Sequence, residues 1–212
     1  MSQDRVIRHR AADRLFHWIM AASVLMLLGT GLLPALGVRF DWVALHWISG
    51  LVLVAAILFH IVRIAAWSKL RTMLPARRDL EEIGAAFGAP PVKPGKYSAA
   101  QKAMHYVASL LSLAAAATGL LMMVKVDTPW WKRNPYWLDA TTWGGIYVVH
   151  GFAALCFVSV VMLHVYFALR PEKRAYLRAM LLGWMSGGDY RAQHDASLWT
   201  PESAPDPVKG RH

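Results

Sequence analysis

The chain has 212 residues, 56% of them hydrophobic, and a mean hydropathy of +0.32. This length predicts one compact unit, and this composition, with ten tryptophans, is typical of membrane proteins. The net charge of +10 does not indicate nucleic-acid binding, because the cations lie at the ends of apolar segments. The single cysteine, Cys156, excludes an intrachain disulfide, covalently attached haem and a cysteine-bound iron–sulfur or zinc centre.

Four apolar segments are each long enough to cross a bilayer, which takes about 20 residues of helix. They cover residues 15–36, 43–67, 103–124 and 144–169. We therefore predict an all-α membrane protein with a bundle of four transmembrane helices inside residues 1–186. Basic and apolar faces at 171–186 predict a helix on the membrane surface, and residues 187–212 are expected to form a polar, loosely ordered tail.

The lysines and arginines predict the orientation of the chain. Four lie in the N-terminal arm, seven in the loop between the second and third segments, seven in the C-terminal tail, and only four in the other two loops. The positive-inside rule then places both termini and the long middle loop in the cytoplasm. The N-terminal arm is too polar for a signal peptide, so the first apolar segment is expected to remain as an anchor.

Two loops carry further signals. In the middle loop, D-L-E-E-I predicts a short surface helix with Asp79 as its cap and Glu82 completing a capping box. A Pro-rich run then delays the next helix until about Ser98. The loop 125–143 contains five aromatic residues among prolines, which predict an aromatic belt at the headgroups, a docking surface for an external subunit, or both. These residues are Trp130, Trp131, Tyr136, Trp137 and Trp143.

Histidines inside the apolar segments are the strongest functional signal. His150 and His164 are fourteen residues apart in the last segment, which on a helix gives about 40° in azimuth and about 21 Å in height. They therefore share one face near opposite edges of the hydrocarbon. His46 and His60 repeat this spacing in the second segment, a faint echo rather than a clear internal repeat. Ionisable side chains inside a membrane span are rare and usually functional.

Histidines of different segments match in depth. His46 and His150 lie near the outer edge, and His17 and His164 lie near the inner edge. Two neutral imidazoles at one depth can bind a haem iron from opposite sides, each with its other N–H bound to a carbonyl or to water. We therefore predict two stacked haems. Zinc is the competing metal, but it needs three or four ligands at one level.

The surroundings of these histidines refine the prediction and leave one choice open. Gly50 and Ala154 each follow a histidine by four residues and leave room for a porphyrin plane. On spacing alone, His60 is as good a partner for His164 as His17 is. Arg14 and Arg63, at the inner ends of their segments, fit either haem propionates or the positive-inside pattern. The other histidines are interpreted as an interfacial residue, His105, and as ordinary surface residues, His9, His194 and His212.

Nearly the whole chain resembles the cytochrome b (gamma) subunit of membrane-bound formate dehydrogenases and, more distantly, the b-type cytochrome subunit of nickel–iron hydrogenases. The resemblance is carried by R-A-A-D-R-L-F-H-W, H-W-I-S-G, G-K-Y-S-A-A-Q-K and H-V-Y-F-A-L. It implies two haems of b type, the inner one bound by His17 and His164 and the outer one by His46 and His150. His60 matches no ligand of the family.

The resemblance also implies a quinone pocket beside the inner haem. In the family this pocket includes G-K-Y-N-A-G-Q, which the chain matches at Gly95, Lys96, Tyr97 and Gln101. The chain departs from the pattern at Ser98 and Ala100, although a serine hydroxyl can still donate to a quinone carbonyl.

The function implied is that of a membrane anchor and quinone-reducing subunit in the bacterial inner membrane. Electrons would pass from a molybdenum or tungsten catalytic subunit on the outer face through an iron–sulfur subunit and two haems to menaquinone or ubiquinone at the cytoplasmic side. The chain itself has no formate-oxidising centre. One alternative is the cytochrome b subunit of a hydrogenase or a sulfur-compound oxidoreductase. Another is a haem-free four-helix transport or anchoring protein, with the histidines serving a proton relay.

Overall fold

The computed structural model describes residues 5–67 and 72–203, most of which are helical. The α-helices in this part of the chain are α1 (Ala11–Ala35), α2 (Val43–Trp67), α3 (Arg77–Ala86), α4 (Ala99–Met122), α5 (Ala140–Leu169), α6 (Arg174–Leu182) and α7 (Gly187–Gln193). Short 3-10 turns follow α4 at Met123–Lys125 and precede α6 at Pro171–Lys173. The strands β1 (Arg5–Ile7), β2 (Trp184–Ser186) and β3 (Glu202–Ser203) form an antiparallel sheet in the order β2-β1-β3.

The helices α1, α2, α4 and α5 are each long and apolar enough to cross a membrane, as expected for the predicted set of four long apolar helices. The helices α1, α4 and α5 each begin four residues before the apolar segment predicted from the sequence, because polar side chains cap their first turns. Asp13 accepts from the backbone N–H of Arg10 at the start of α1, and Asp139 accepts from the N–H of Thr142 at the start of α5. At α4, Ser98 and Gln101 each accept from the other's backbone N–H in a reciprocal capping box.

The chain divides into two compact units. The first contains Met1–Leu15, Trp67–His105 and His164–His212, and the second contains Phe16–Ala66 and Tyr106–Leu163. The second unit therefore holds most of the four long helices, and its buried residues include Leu53, Ala153 and Phe157. The first unit has its own small core, in which Val6, Ala175 and Met185 pack together beneath Tyr176, Tyr190 and Trp199.

The C-terminal segment is more ordered than the sequence predicted. The surface helix ends at Leu182 rather than at 186, because Gly183 has a φ of +93° and the chain turns into β2. A Cβ on Gly183 would lie 3.0 Å from the carbonyl oxygen of His9, so both backbone angle and space require glycine. Residues 187–203 contain α7 and β3 rather than a loose tail, and His194, predicted on the surface, is buried. His212 lies outside the described residues, as do Lys69 and Arg71.

The middle loop forms the predicted short helix, α3, but with different capping. Asp79 is its third residue rather than its cap, and it accepts from the backbone N–H of Ala76 at 2.7 Å. Glu82 accepts from the N–H of Ala99 and so caps α4 instead of completing a capping box in α3. The ammonium group of Lys102 donates to both oxygens of Asp79 at 2.8 and 2.9 Å and to the carbonyl of Leu74 at 3.0 Å. This buried ion pair joins α3 to the start of α4.

Candidate functional site

Two histidines from different helices face each other within the second unit. His46 lies in the first turn of α2 and His150 in the third turn of α5, and their ring centroids are 6.2 Å apart. The two ring planes are inclined by 65°, and both side chains are half-buried. The structure therefore brings together the two residues predicted to form the outer pair.

A threonine of the preceding helix holds each of these imidazoles. The hydroxyl of Thr30 in α1 lies 2.8 Å from Nδ1 of His46, and the hydroxyl of Thr118 in α4 lies 2.8 Å from Nδ1 of His150. Each hydroxyl also contacts the carbonyl four residues earlier in its own helix, at 2.7 Å from Met26 and 2.6 Å from Ala114. The two halves of the site therefore have matching geometry.

These contacts assign the tautomer of both rings. A backbone carbonyl can only accept, so each threonine uses its single hydroxyl proton within its own helix. The hydroxyl oxygen must then accept from the imidazole, which places the proton on Nδ1 of His46 and of His150. In both rings Nε2 keeps an unshared electron pair, as a metal ligand must.

The spacing of the two rings fits a single metal ion between them. A metal–imidazole bond is about 2 Å long. The coordinating nitrogen lies about 1.1 Å from the centroid of a five-membered ring with bonds of about 1.35 Å. Two imidazoles that held one iron between them would have centroids about 6.2 Å apart, and the distance between His46 and His150 is compatible with this. The competing zinc site needs at least three ligands, and no such group of His, Cys, Asp or Glu occurs within residues 5–67 and 72–203.

A glycine follows each threonine and lies beside the ring of the histidine. A Cβ on Gly119 would lie 3.3 Å from Cε1 of His150, and a Cβ on Gly31 would lie 3.6 Å from Cε1 of His46. Gly50, predicted to leave room for a porphyrin plane, lies next to the side chain of Leu27 at ordinary contact distance. The approach of helix and ring is therefore tight at Gly119, where a Cβ would require His150 to shift, and of ordinary contact distance at Gly31.

Sequence reasoning missed both threonines, although the sequence carries a signal for them. Thr30 follows His17 by thirteen positions, and Thr118 follows His105 by the same interval. With the fourteen-residue spacing of the later histidines, the pattern H-x12-T-G followed by H-x13-H occurs in α1–α2 and again in α4–α5. The repeat is clearer than the histidine spacing alone suggested.

The residues predicted for the inner site belong to different units: His17 and His60 to the second, and His164 to the first. In the second unit, Phe16 stacks on the ring of His60 with centroids 4.3 Å apart, and His17 contacts Trp18 edge-on at 5.2 Å. In the first unit, His164 is exposed. The choice between His17 and His60 as its partner stays a prediction.

The two arginines predicted near the inner site also lie in different units. Arg14 donates from Nη1 to the carbonyl of Leu181 at 2.7 Å. Its guanidinium group thereby contacts the last turn of α6, where a cation is favourable. Arg63 is half-buried in α2.

The residues predicted for the quinone pocket form the turn that leads into α4. Ser98 and Gln101 use their side chains in the capping box, and Ala100 is exposed on the first turn. The carbonyl of Gly95 accepts from Nδ1 of His194 at 2.6 Å, and that of Lys96 accepts from Nη2 of Arg8 at 2.6 Å. The backbone of this turn is therefore fixed by Arg8 from the N-terminal arm and by His194 from the C-terminal segment.

A buried group, which we name the tail cluster, makes these contacts. It consists of Arg8, Tyr97, Tyr176, His194 and Trp199. The guanidinium carbon of Arg8 lies 4.6 Å from the ring centroid of Tyr176, 5.3 Å from that of Trp199 and 5.6 Å from that of Tyr97. Arg8 and His194 are each only 3% exposed. Nη1 of Arg8 donates to Nε2 of His194 at 3.0 Å, so the imidazole must remain neutral.

Acid is expected to loosen the tail cluster. Burial and the nearby Arg8 charge lower the pKa of His194 from 6.5 to about 4. Because the folded pKa lies below the unfolded one, the cluster has its full stability above pH 6.5 and loses it as the pH falls towards 4. Hydrogen exchange in residues 184–199, corrected for intrinsic rates, should show weaker protection at pH 5 than at pH 7.5.

The matched control for this prediction is His194→Gln. A glutamine side chain can donate to Gly95 and accept from Arg8 without titrating. The variant should therefore show a flatter pH dependence. An equally steep loss of protection in His194→Gln would show that another group is responsible.

Four helices that are long and apolar enough to span a membrane, together with two facing imidazoles in the second unit, are features of a membrane cytochrome of b type. The chain belongs to the prokaryotic cytochrome b561 family, whose model matches residues 8–183. It is 25% identical over 215 aligned residues to the formate dehydrogenase cytochrome b556(fdo) subunit of Escherichia coli K12, with 91% of each chain covered. The same subunit of Escherichia coli O157:H7 gives the same figures. The resemblance found in the sequence is confirmed.

Proposed function

We propose that the chain is the membrane anchor and electron-transfer subunit of a respiratory formate dehydrogenase. The observation that carries this proposal is the His46–His150 pair, with its 6.2 Å ring separation and its two Nδ1–H tautomers. Haem b supplies a one-electron carrier when it is bound there. The chain supplies two neutral ligands, the hydroxyl groups that orient them and an apolar surrounding.

For a second haem we propose His17 and His164 as ligands, as the family resemblance implies. The stacking of His60 on Phe16 supports this choice, because it gives His60 a packing role in the second unit. Arg14 and Arg63 remain our candidates for contacts to propionates.

We further propose that both termini are cytoplasmic, in the inner membrane, and that quinone is reduced on that side next to residues 95–101. The distribution of lysine and arginine supports the orientation. The hydrogen bonds that fix the backbone of Gly95 and Lys96 support a preformed turn at the proposed quinone site. A preformed site avoids the cost of ordering a loop on binding.

The loop that joins α4 to α5 is our candidate docking surface for the iron–sulfur subunit, which would connect the molybdenum or tungsten catalytic subunit. Four of its aromatic side chains are exposed: Tyr136 by 91%, Trp130 by 65%, Trp137 by 53% and Trp131 by 41%. Aromatic residues are enriched in protein interfaces. Trp143, by contrast, is buried and donates to the carbonyl of Pro135, so it stabilises the loop itself.

The experiment that tests this function is a reduced-minus-oxidised spectrum with haem extraction on the purified chain. Two b haems per chain are expected. A colourless protein would overturn the proposal and favour the haem-free alternative. In membranes that contain the whole complex, formate should reduce these haems; reduction by hydrogen or a sulfur compound alone would assign the chain to another oxidoreductase.

The ligands of the second haem can be separated by three single substitutions. His17→Ala and His164→Ala should each lower the content from two haems to one, because one remaining imidazole cannot hold the iron as two do. His60→Ala should retain both haems. The reverse result, with loss in His60→Ala and retention in His17→Ala, would assign the inner ligand to His60.

A further inference from the structure

Thr30 and Thr118 contact the ligand rings in a way that haem binding does not by itself require. Each is a hydroxyl residue inside a transmembrane helix, and each points its oxygen at Nδ1 of one histidine at 2.8 Å. Thr30 is only 3% exposed, and Thr118 is half-buried. Valine would fill the same space, so packing alone does not explain a hydroxyl at both positions.

Because the imidazoles donate these hydrogen bonds, the hydroxyl groups change how strongly each ring donates electrons to a metal. An acceptor for Nδ1–H draws the proton away from the ring and makes Nε2 a stronger electron donor to a metal. A stronger donor stabilises the ferric state more than the ferrous state, and so lowers the reduction potential. The same hydrogen bond also fixes how each ring is rotated, and the observed result is an angle of 65° between the two ring planes.

We propose that Thr30 and Thr118 are paired positioning residues that fix the tautomer and the ring plane of His46 and His150. Through these rings they lower the reduction potential of the haem bound between them. This inference rests on the proposed function, because it needs a haem at that site. Neither threonine touches the iron, and each acts through the histidine that donates to it. The equal distances on the two sides predict contributions of similar size.

The test uses the isosteric variants Thr30→Val and Thr118→Val, with redox titration of the purified holoprotein. Each should raise the ferrous-to-ferric ratio at a fixed potential by about three- to tenfold, a tenfold change being 59 mV for one electron. The double variant should shift further. The ferric electron paramagnetic resonance signal should also change shape, because its anisotropy depends on the angle between the two ring planes.

Two controls separate hydrogen bonding from packing. Thr30→Ser and Thr118→Ser keep the hydroxyl group and should have the reduction potential of the wild type. Ser112→Ala removes another buried hydroxyl from α4 and should leave the potential unchanged. If a valine variant loses the haem, retention of the haem in the serine variant would still support the inference, whereas equal loss in both would overturn it.

The outcomes distinguish this inference from the proposed function. Haem content that is unaffected by His46→Ala and His150→Ala would overturn the proposed site itself. Normal haem content with an unchanged potential and an unchanged resonance signal in both valine variants would overturn the role of the threonines and leave the proposed function standing. An equal shift in Ser112→Ala would also overturn it.

Discussion

Replacing His150 with alanine is expected to lower the haem content of the purified chain from two per protein to one. The ring centroids of His46 and His150 lie 6.2 Å apart, and we propose both residues as ligands of one haem, so the loss of either should release the same haem. His46→Ala should therefore give the same result, and the double variant should lose no more than either single variant. Pyridine haemochrome quantitation measures this directly.

A matched control is available for the histidine substitutions. His105 is a half-buried histidine near the start of α4, another helix apolar enough to cross a membrane, and His105→Ala should retain both haems. The pairing would be contradicted if the double variant His46→Ala/His150→Ala lost both haems while each single variant lost one. That result would place the two histidines at different irons.

Replacing Lys102 with methionine is expected to destabilise the junction of α3 and α4 by about 3–5 kcal/mol, because it leaves a buried carboxylate unpaired. The side chains of Lys102 and Asp79 are only 11% and 13% exposed, and the ammonium group holds both carboxylate oxygens. The change should appear as faster hydrogen exchange in α3 and as a lower midpoint of thermal unfolding in detergent.

The charge origin of this effect can be checked with a second substitution. In the double variant Lys102→Met/Asp79→Asn, the new amide side chain can still accept from Ala76 but carries no charge, so this variant should be more stable than Lys102→Met alone. Breaking the exposed pair of Arg170 and Glu172 should have little effect. A double variant as unstable as Lys102→Met would mean that the loss comes from packing rather than from an unpaired charge.

The membrane-spanning helices could be predicted because apolar length is a direct physical requirement of the bilayer. Their first turns could not, because Asp13, Ser98 and Asp139 extend three of the helices into polar sequence. Helical spacing and matched depth were also enough to predict that His46 and His150 lie close together. They were not enough for Thr30 and Thr118, because one hydroxyl in an apolar helix leaves hydrophobic periodicity almost unchanged.

The tail was misjudged for a different reason. Its composition is polar, and composition predicted a loose segment. The structure buries His194 by contacts with residues far away in sequence, Arg8 and Gly95, which no local pattern reveals. Burial of a polar residue depends on such partners, and these become visible only when the fold is known.

The tail cluster also sets the order in which the protein can be completed during synthesis. Arg8 leaves the ribosome 186 residues before His194, and β1 lies between β2 and β3, both of which are made last. The four long helices can therefore enter the membrane while the N-terminal arm and the turn at 95–101 still lack their partners. A chain that terminates before His194 would insert its helices but leave this turn without the contacts that fix it. The turn where we propose the quinone site therefore acquires its contact with His194 only after that residue has been made.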